Sequence, residues 1–258
     1  MKKIDFITKR MSIHLQRLLM MMATIMMAFA TLTACNTLED NNDENGKEEE
    51  GGNGGGGGVS GKRVKSWVYS YTEPNIPARY ELLYKNDGTL ERIDAYDVSS
   101  KLIIRQIITL NSNGTINKIE ATDIRAEGIL IVENFTFDGN NKPLKMKGNS
   151  IYNGAIVAST NMDYTFQNGR KVKQLLSTAA SEILVNTMEW TFSYDGNGRR
   201  TKTLSTPTTG IATEYTRTYN SDGTLQKVNY INGITQMTVT FTWENGKSTV
   251  NWDDHWSF

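Results

Sequence analysis

Near the carboxyl end of this 258-residue chain, Trp252-Asp253-Asp254-His255-Trp256 gathers the side chains that acid-base chemistry on a sugar would use: an imidazole, two carboxylates and two flat rings. An imidazole acts as a general base only where a pocket holds it against an oriented partner, and a chain terminus seldom supplies either. Trp252 and Trp256 could instead offer flat faces to the C–H bonds of a pyranose, which makes them the candidate ligand-stacking pair; packing of their own apolar area is the alternative. Trp190 and Trp243 lie inside alternating segments and are expected in the core. Hydrolysis of a glycoside by paired carboxylates needs two acids about 5 to 9.5 Å apart. The aspartates at 87, 138, 195 and 222 are already accounted for by turns, and no dyad stands out among the rest. No catalytic residue is therefore expected, and a hydrolase is only the lesser alternative.

Metal and cofactor chemistry finds little to work with. Cys35 is the single cysteine and the chain holds two histidines, so no internal disulfide, thiolate cluster or multi-histidine site is expected. Residues 1–34 carry five cations (Lys2, Lys3, Lys9, Arg10, Arg17) and one acid, Asp5, leaving 23 basic against 27 acidic residues and a net charge of about −4. Phosphate binding needs a basic surface, which argues against nucleic acid as a partner.

Cys35 has its own chemistry. It ends a basic leader (residues 2–17) and an uncharged apolar run (residues 18–32), the pattern of a secretion signal that starts at Met1 or Met11. The run is too short for a transmembrane helix, which takes about 20 residues. Leu32-Thr33-Ala34-Cys35 resembles the lipobox of bacterial lipoproteins. That resemblance implies a diacylglycerol thioether and an N-acyl chain on Cys35, enough lipid for stable attachment without spanning. Residues 35–62 then read as a lipidated cysteine and an acidic, glycine-rich tether with few apolar side chains to offset its ordering entropy. As a random coil it would span roughly 30 Å. Its acids, Glu39, Asp40, Asp43 and Glu44, resemble the surface-export signal of Bacteroidetes lipoproteins; a solvated linker is the plainer reading. A calcium loop fails there: with Gly46 as the obligatory glycine, Gly52 falls where the bidentate glutamate belongs.

Residues 63–258 are the segment that must position any site. One unit recurs: two apolar residues two apart, Asp-Gly or Asn-Gly, then an apolar residue and a Lys or Arg. Its turns are Asp87-Gly88, Asn113-Gly114, Asp138-Gly139, Asn168-Gly169, Asp195-Gly196, Asp222-Gly223 and Asn245-Gly246. Such dipeptides favour the positive backbone angles of tight hairpins. Opposite-end connections are expected at Ser99-Ser100, Glu127-Gly128, Asn153-Gly154, Thr209-Gly210 and Asn232-Gly233. Residues two apart share a face of a strand. Met188, Trp190, Phe192 and Tyr194 oppose Glu189, Thr191 and Ser193, and Met237, Val239, Phe241 and Trp243 oppose Gln236, Thr238, Thr240 and Thr242. The expected fold is all-β: an antiparallel up-and-down meander of roughly 13–16 strands, curled or closed into a barrel-like domain that hides its apolar face.

Tyr194-Asp195-Gly196-Asn197-Gly198-Arg199 resembles the Tyr-Asp repeat of RHS-type proteins, whose strands form large curled shells. Lipobox, acidic tether and seven hairpins together resemble Bacteroidetes lipoproteins of unknown function with a porin-like β domain. A transmembrane barrel would need an outward apolar band on nearly every strand. Charges at Arg92, Arg105, Glu133 and Arg217 interrupt the strand faces and argue against insertion. The functional expectation is a noncatalytic lipoprotein, lipid-anchored at the outer membrane and facing the periplasm or cell surface, that binds a glycan, peptide or protein partner. A structural or assembly component of the outer membrane is the alternative.

Overall fold

The computed structural model describes residues 61–70, 77–125, 128–139, 141–180, 183–233 and 235–248. Cys35, the leader, residues 36–60 of the tether, Trp252, Trp256 and His255 lie outside the described residues; the tether's expected last residue, Lys62, is instead the first of β1. Fourteen antiparallel strands follow one another around a closed barrel. They are β1 (Lys62–Tyr69), β2 (Arg79–Tyr84), β3 (Leu90–Tyr96), β4 (Leu102–Leu110), β5 (Ile116–Asp123), β6 (Ile129–Phe137) and β7 (Pro143–Tyr152). The circuit continues through β8 (Ala155–Gln167), β9 (Arg170–Ala180), β10 (Ile183–Tyr194), β11 (Arg200–Pro207), β12 (Thr213–Tyr219), β13 (Leu225–Asn232) and β14 (Thr235–Asn245). β14 pairs with β1, Phe241 opposite Trp67 and Val239 opposite Tyr69, so no sheet edge is left unpaired.

Closure explains the alternation. Along β8, Ala158, Thr160, Met162 and Tyr164 are buried while Asn161, Asp163 and Thr165 are exposed, and β10 and β14 keep Trp190, Phe192, Val239 and Phe241 inside as expected. The outer wall is charged instead. Lys145 meets Asp163 across β7–β8 at 3.4 Å, Lys173 meets Glu189 across β9–β10 at 2.6 Å, and Lys202 meets Glu214 across β11–β12 at 2.6 Å. Its polarity is the reverse of a lipid-facing band.

The turns of the recurring unit, from Asp87-Gly88 to Asp222-Gly223, gather at one end of the barrel, together with the junction where Gly246 donates to the Gly61 carbonyl at 2.8 Å. Their geometry differs from a uniform set of two-residue turns. Among the described residues, only Asn168-Gly169 at this end and Asn153-Gly154 at the other put both central residues at positive φ, 51° and 72°, 49° and 81°. The others are three-residue loops: the amide of Gly88 bonds the Lys85 carbonyl and that of Lys85 bonds the Thr89 carbonyl. In Asp195-Gly196-Asn197-Gly198 the positive φ falls on Gly198, and the Asp195 carboxylate accepts from the amides of Asn197 and Arg199. Asn141 holds that position after Asp138.

Beyond each of these seven junctions the ladder slips by one residue, between Leu83 and Tyr84, Thr109 and Leu110, Thr136 and Phe137, Thr165 and Phe166, Ser193 and Tyr194, Thr218 and Tyr219, and Val64 and Ser66. A bulge changes side-chain parity. In every odd-numbered strand two residues three apart are therefore buried: Val64 and Trp67, Leu90 and Ile93, Ile116 and Ile119, Pro143 and Met146, Lys171 and Gln174, Arg200 and Thr203, Leu225 and Val228.

Candidate functional site: the polar inner wall

The first buried residue of each odd strand forms a ring just inside the turn end. Five of the seven are apolar, Val64, Leu90, Ile116, Pro143 and Leu225; the other two are Lys171 and Arg200, 1% and 3% exposed. Both cations face the ring of Phe192 on the intervening strand, with Arg200 Cζ 4.4 Å and Lys171 Nζ 5.1 Å from its centroid. Lys171 also lies 5.5 Å from the Tyr164 ring. A cation against an aromatic face recovers part of the solvation it loses on burial.

Deeper in the barrel the two halves differ. Strands β1 to β5 turn mostly apolar side chains inward, Trp67, Tyr80, Ile93, Ala95, Ile104, Ile108, Ile119 and Ala121 beside the polar Gln106 and Asp123, and the indole of Trp67 stacks on Tyr80 at 4.7 Å. From β6 to β12 the buried set includes Glu133, Ser150, Thr160, Gln174, Thr178, Thr203, Ser205, Thr213 and Arg217. Arg217 and Glu133, expected only as interruptions of strand faces, belong to this inner wall. Arg92 and Arg105 lie on the outer one, where both grip the carboxylate of Asp94.

Glu133 is the singular member. It is 5% exposed, it is cradled by Gly148, whose absent Cβ would stand 3.3 Å from Glu133 Cγ, and its Oε2 has no hydrogen-bonding partner. Burial pushes its carboxyl up to about 8, so it is uncharged at neutral pH. Gln106, 1% exposed, has neither amide atom bonded, and Ser150 Oγ, Thr203 Oγ1 and Trp190 Nε1 likewise lack partners. Buried polar groups are normally satisfied, so such a wall is suited to hydrogen-bonding something polar. Burial also lifts the hydroxyls of Tyr80, Tyr164 and Tyr215 well above their usual range, which keeps them protonated donors.

The other inward-parity acid, Asp123, is held by Arg125, which donates Nε and Nη2 to its two oxygens at 3.0 and 2.7 Å. Among the described residues no three His, Cys, Asp or Glu side chains gather to hold a metal. Trp190 is 4% exposed and Trp243 packs against the core, as read from their strands. The sequence reading did not single out Lys171 and Arg200. Part of the signal was available: two residues after Gly88, Gly114, Gly169, Gly198 and Gly223 stand Leu90, Ile116, Lys171, Arg200 and Leu225, where the two cations break an otherwise apolar column.

No family model matches this chain, and no curated relative matches it. Solved structures do. A porin-like protein from Bacteroides uniformis shares 12% identity over 71% of this chain and 96% of that one, with a TM-score of 0.44. A porin-like protein from Bacteroides vulgatus shares 11% over 69% and 97%, with a TM-score of 0.46. A chain of the Photorhabdus luminescens Tc holotoxin pore matches at 12% over 65% of this chain and 9% of that chain, with a TM-score of 0.27.

Proposed function

We propose that this chain is a noncatalytic lipoprotein of the outer membrane, held by lipid on Cys35, whose barrel binds a glycan, peptide or protein partner in the cell envelope. One observation carries the reading: the barrel turns its charged side outward and its apolar side inward, as in the Lys173–Glu189 pair outside and Trp190 inside on neighbouring strands. A wall of that polarity gains nothing from a bilayer, so attachment falls to a separate device, and the Leu32-Thr33-Ala34-Cys35 segment is suited to supply it. The unpartnered polar atoms of the inner wall favour binding over a purely structural role.

Radiolabelled palmitate fed to the producing cell is expected to label the protein, and Cys35→Ser is expected to abolish the label and release the chain from the membrane fraction. Retention of the unlabelled variant in the membrane would refute the anchor. Glycan arrays and isothermal titration on the released protein address the partner. Silence across both, with no copurifying protein, would refute the binding role.

A further inference from the structure

On each even-numbered strand, the residue two places beyond the last buried inward side chain stands at the turn end of the barrel. Seven such residues form a girdle around the mouth, and six are aromatic: Tyr84, Phe137, Phe166, Tyr194, Tyr219 and Trp243. Residues two apart share a face of a strand, so each ring follows an inward neighbour such as Leu82, Tyr164 or Phe192. Those neighbours are at most 8% exposed, whereas the six rings are only partly buried. A circle of half-exposed aromatic surface at one end of a charged outer wall marks a contact.

After β14 the chain turns toward this mouth. Gly246 bonds Gly61 at the seam, and the carbonyl oxygen of Lys247 lies 2.8 Å from where a Cβ on Gly88 would stand. Gly88 belongs to the turn between β2 and β3, so the backbone beyond β14 crosses the end of β1 instead of leaving the barrel. Ser248 is accordingly buried, at 8% exposed.

We propose that residues 249–258 continue this path and cover the aromatic girdle, with Trp252 and Trp256 packing on its rings and Asp253 and Asp254 meeting its cations. The charges are complementary. The turns at 138–142, 167–171 and 195–200 hold five cations, Lys142, Arg170, Lys171, Arg199 and Arg200, against two acids, Asp138 and Asp195. Lys142, Arg170 and Arg199 lie over girdle rings, those of Phe166, Tyr194 and Tyr219, at 5.9, 5.6 and 5.3 Å. Rings and carboxylates arriving together therefore find partners on one surface. The reach suffices: fourteen strands at the usual spacing and tilt make a mouth roughly 28 Å across, and ten residues past Ser248 extend up to about 34 Å.

The tether also meets this end, but residues 36–60 hold only Leu38 and Val59 as large apolar side chains, too few to cover six rings. A second copy laid mouth to mouth would set one group of cationic turns against another. The contact needs no ligand, so it holds or fails apart from the binding role proposed above.

The test uses the mature chain with Cys35→Ser, given a single thiol by Ser257→Cys, and follows its reaction with a bulky water-soluble maleimide. The same chain unfolded in urea is the uncovered standard. The folded chain is expected to react roughly tenfold more slowly. Trp252→Ala with Trp256→Ala is expected to abolish the protection, and Asp253→Asn with Asp254→Asn to weaken it severalfold. All four residues lie beyond the last strand, so circular dichroism of both variants should match the parent. Equal rates in the folded and unfolded chains, or protection that either pair of substitutions leaves whole, would overturn the proposal. So would protection that appears only at concentrations where sedimentation velocity shows a dimer, since a second copy would then be the cover.

Discussion

The indole nitrogen of Trp243 donates to the backbone carbonyl of Leu225 at 2.8 Å, joining the last strand to the hairpin before it. The relationship recurs around the turn end: the hydroxyl of Tyr219 donates to Arg200 at 2.7 Å, that of Tyr194 to Lys171 at 2.7 Å, and that of Tyr84 to Val64 at 2.9 Å. All four bonds run backwards along the chain by one hairpin, and the Tyr84 bond ties β2 to β1, the strand that closes the barrel against β14. Trp243→Phe keeps a large apolar ring and removes the donor, leaving a sheltered carbonyl with one bond fewer. The expected loss is about 1 kcal/mol in urea unfolding at an unchanged m-value.

Glu133 makes stability depend on pH. Its carboxyl titrates near 4.5 when unfolded and at about 8 in the barrel, so the folded state binds more protons between those values. Stability is then fullest below about pH 4.5 as far as this group is concerned, declines as pH rises, and reaches its full penalty above about 8. The shift corresponds to roughly 5 kcal/mol at most. Glu133→Gln keeps the shape without the titration, and denaturant curves from pH 5 to 9 should lose that slope. A variant that falls as steeply as the parent would show that Glu133 is not the group responsible.

Two glycines of one turn should behave differently. Gly198 sits at φ 79°, where a side chain costs about 1 kcal/mol. Gly196 has no positive φ, and no atom lies within 4 Å of the Cβ it would gain. Thermal unfolding should therefore place Gly198→Ala several degrees below the parent and Gly196→Ala beside it.

At the seam, Lys62 donates to Asp222 at 2.7 Å, and this bond, with those from Thr224, holds the Asp222 carboxyl well below the usual carboxylate range. Lys62→Met should raise the Asp222 titration midpoint in an NMR pH series. Because both side chains are more than a third exposed, 0.5 M salt should raise it in the parent as well.

Much of this architecture was legible in the residues. Turn dipeptides at intervals near one hairpin, and strict alternation in stretches such as Met237 to Trp243, specify strand, turn and face locally, because a strand side chain's direction depends only on its place in the ladder. An apolar face on every strand and no helix to cover it then leave curling or closure as the way to bury it. Closure itself, the count of fourteen, and the pairing of Trp67 with Phe241 across the seam belong to the tertiary structure. They depend on residues about 170 positions apart meeting in register, and neither end of the chain encodes the other.

The inner polar wall was hidden for a related reason. Counting by twos from the alternating strands breaks at each bulge, so Lys171 and Gln174, or Arg200 and Thr203, read as opposite faces although both point inward. The same slip separates Arg92, which is outside, from Ile93 and Leu90, which are inside. By itself the amino-acid order determined the hairpin unit and which side chains wanted shelter, since these follow from local backbone preference and hydrophobicity. Only the assembled barrel decided which charges would be shut in with them, because a one-residue slip in pairing reverses a side chain's direction without leaving any mark in composition.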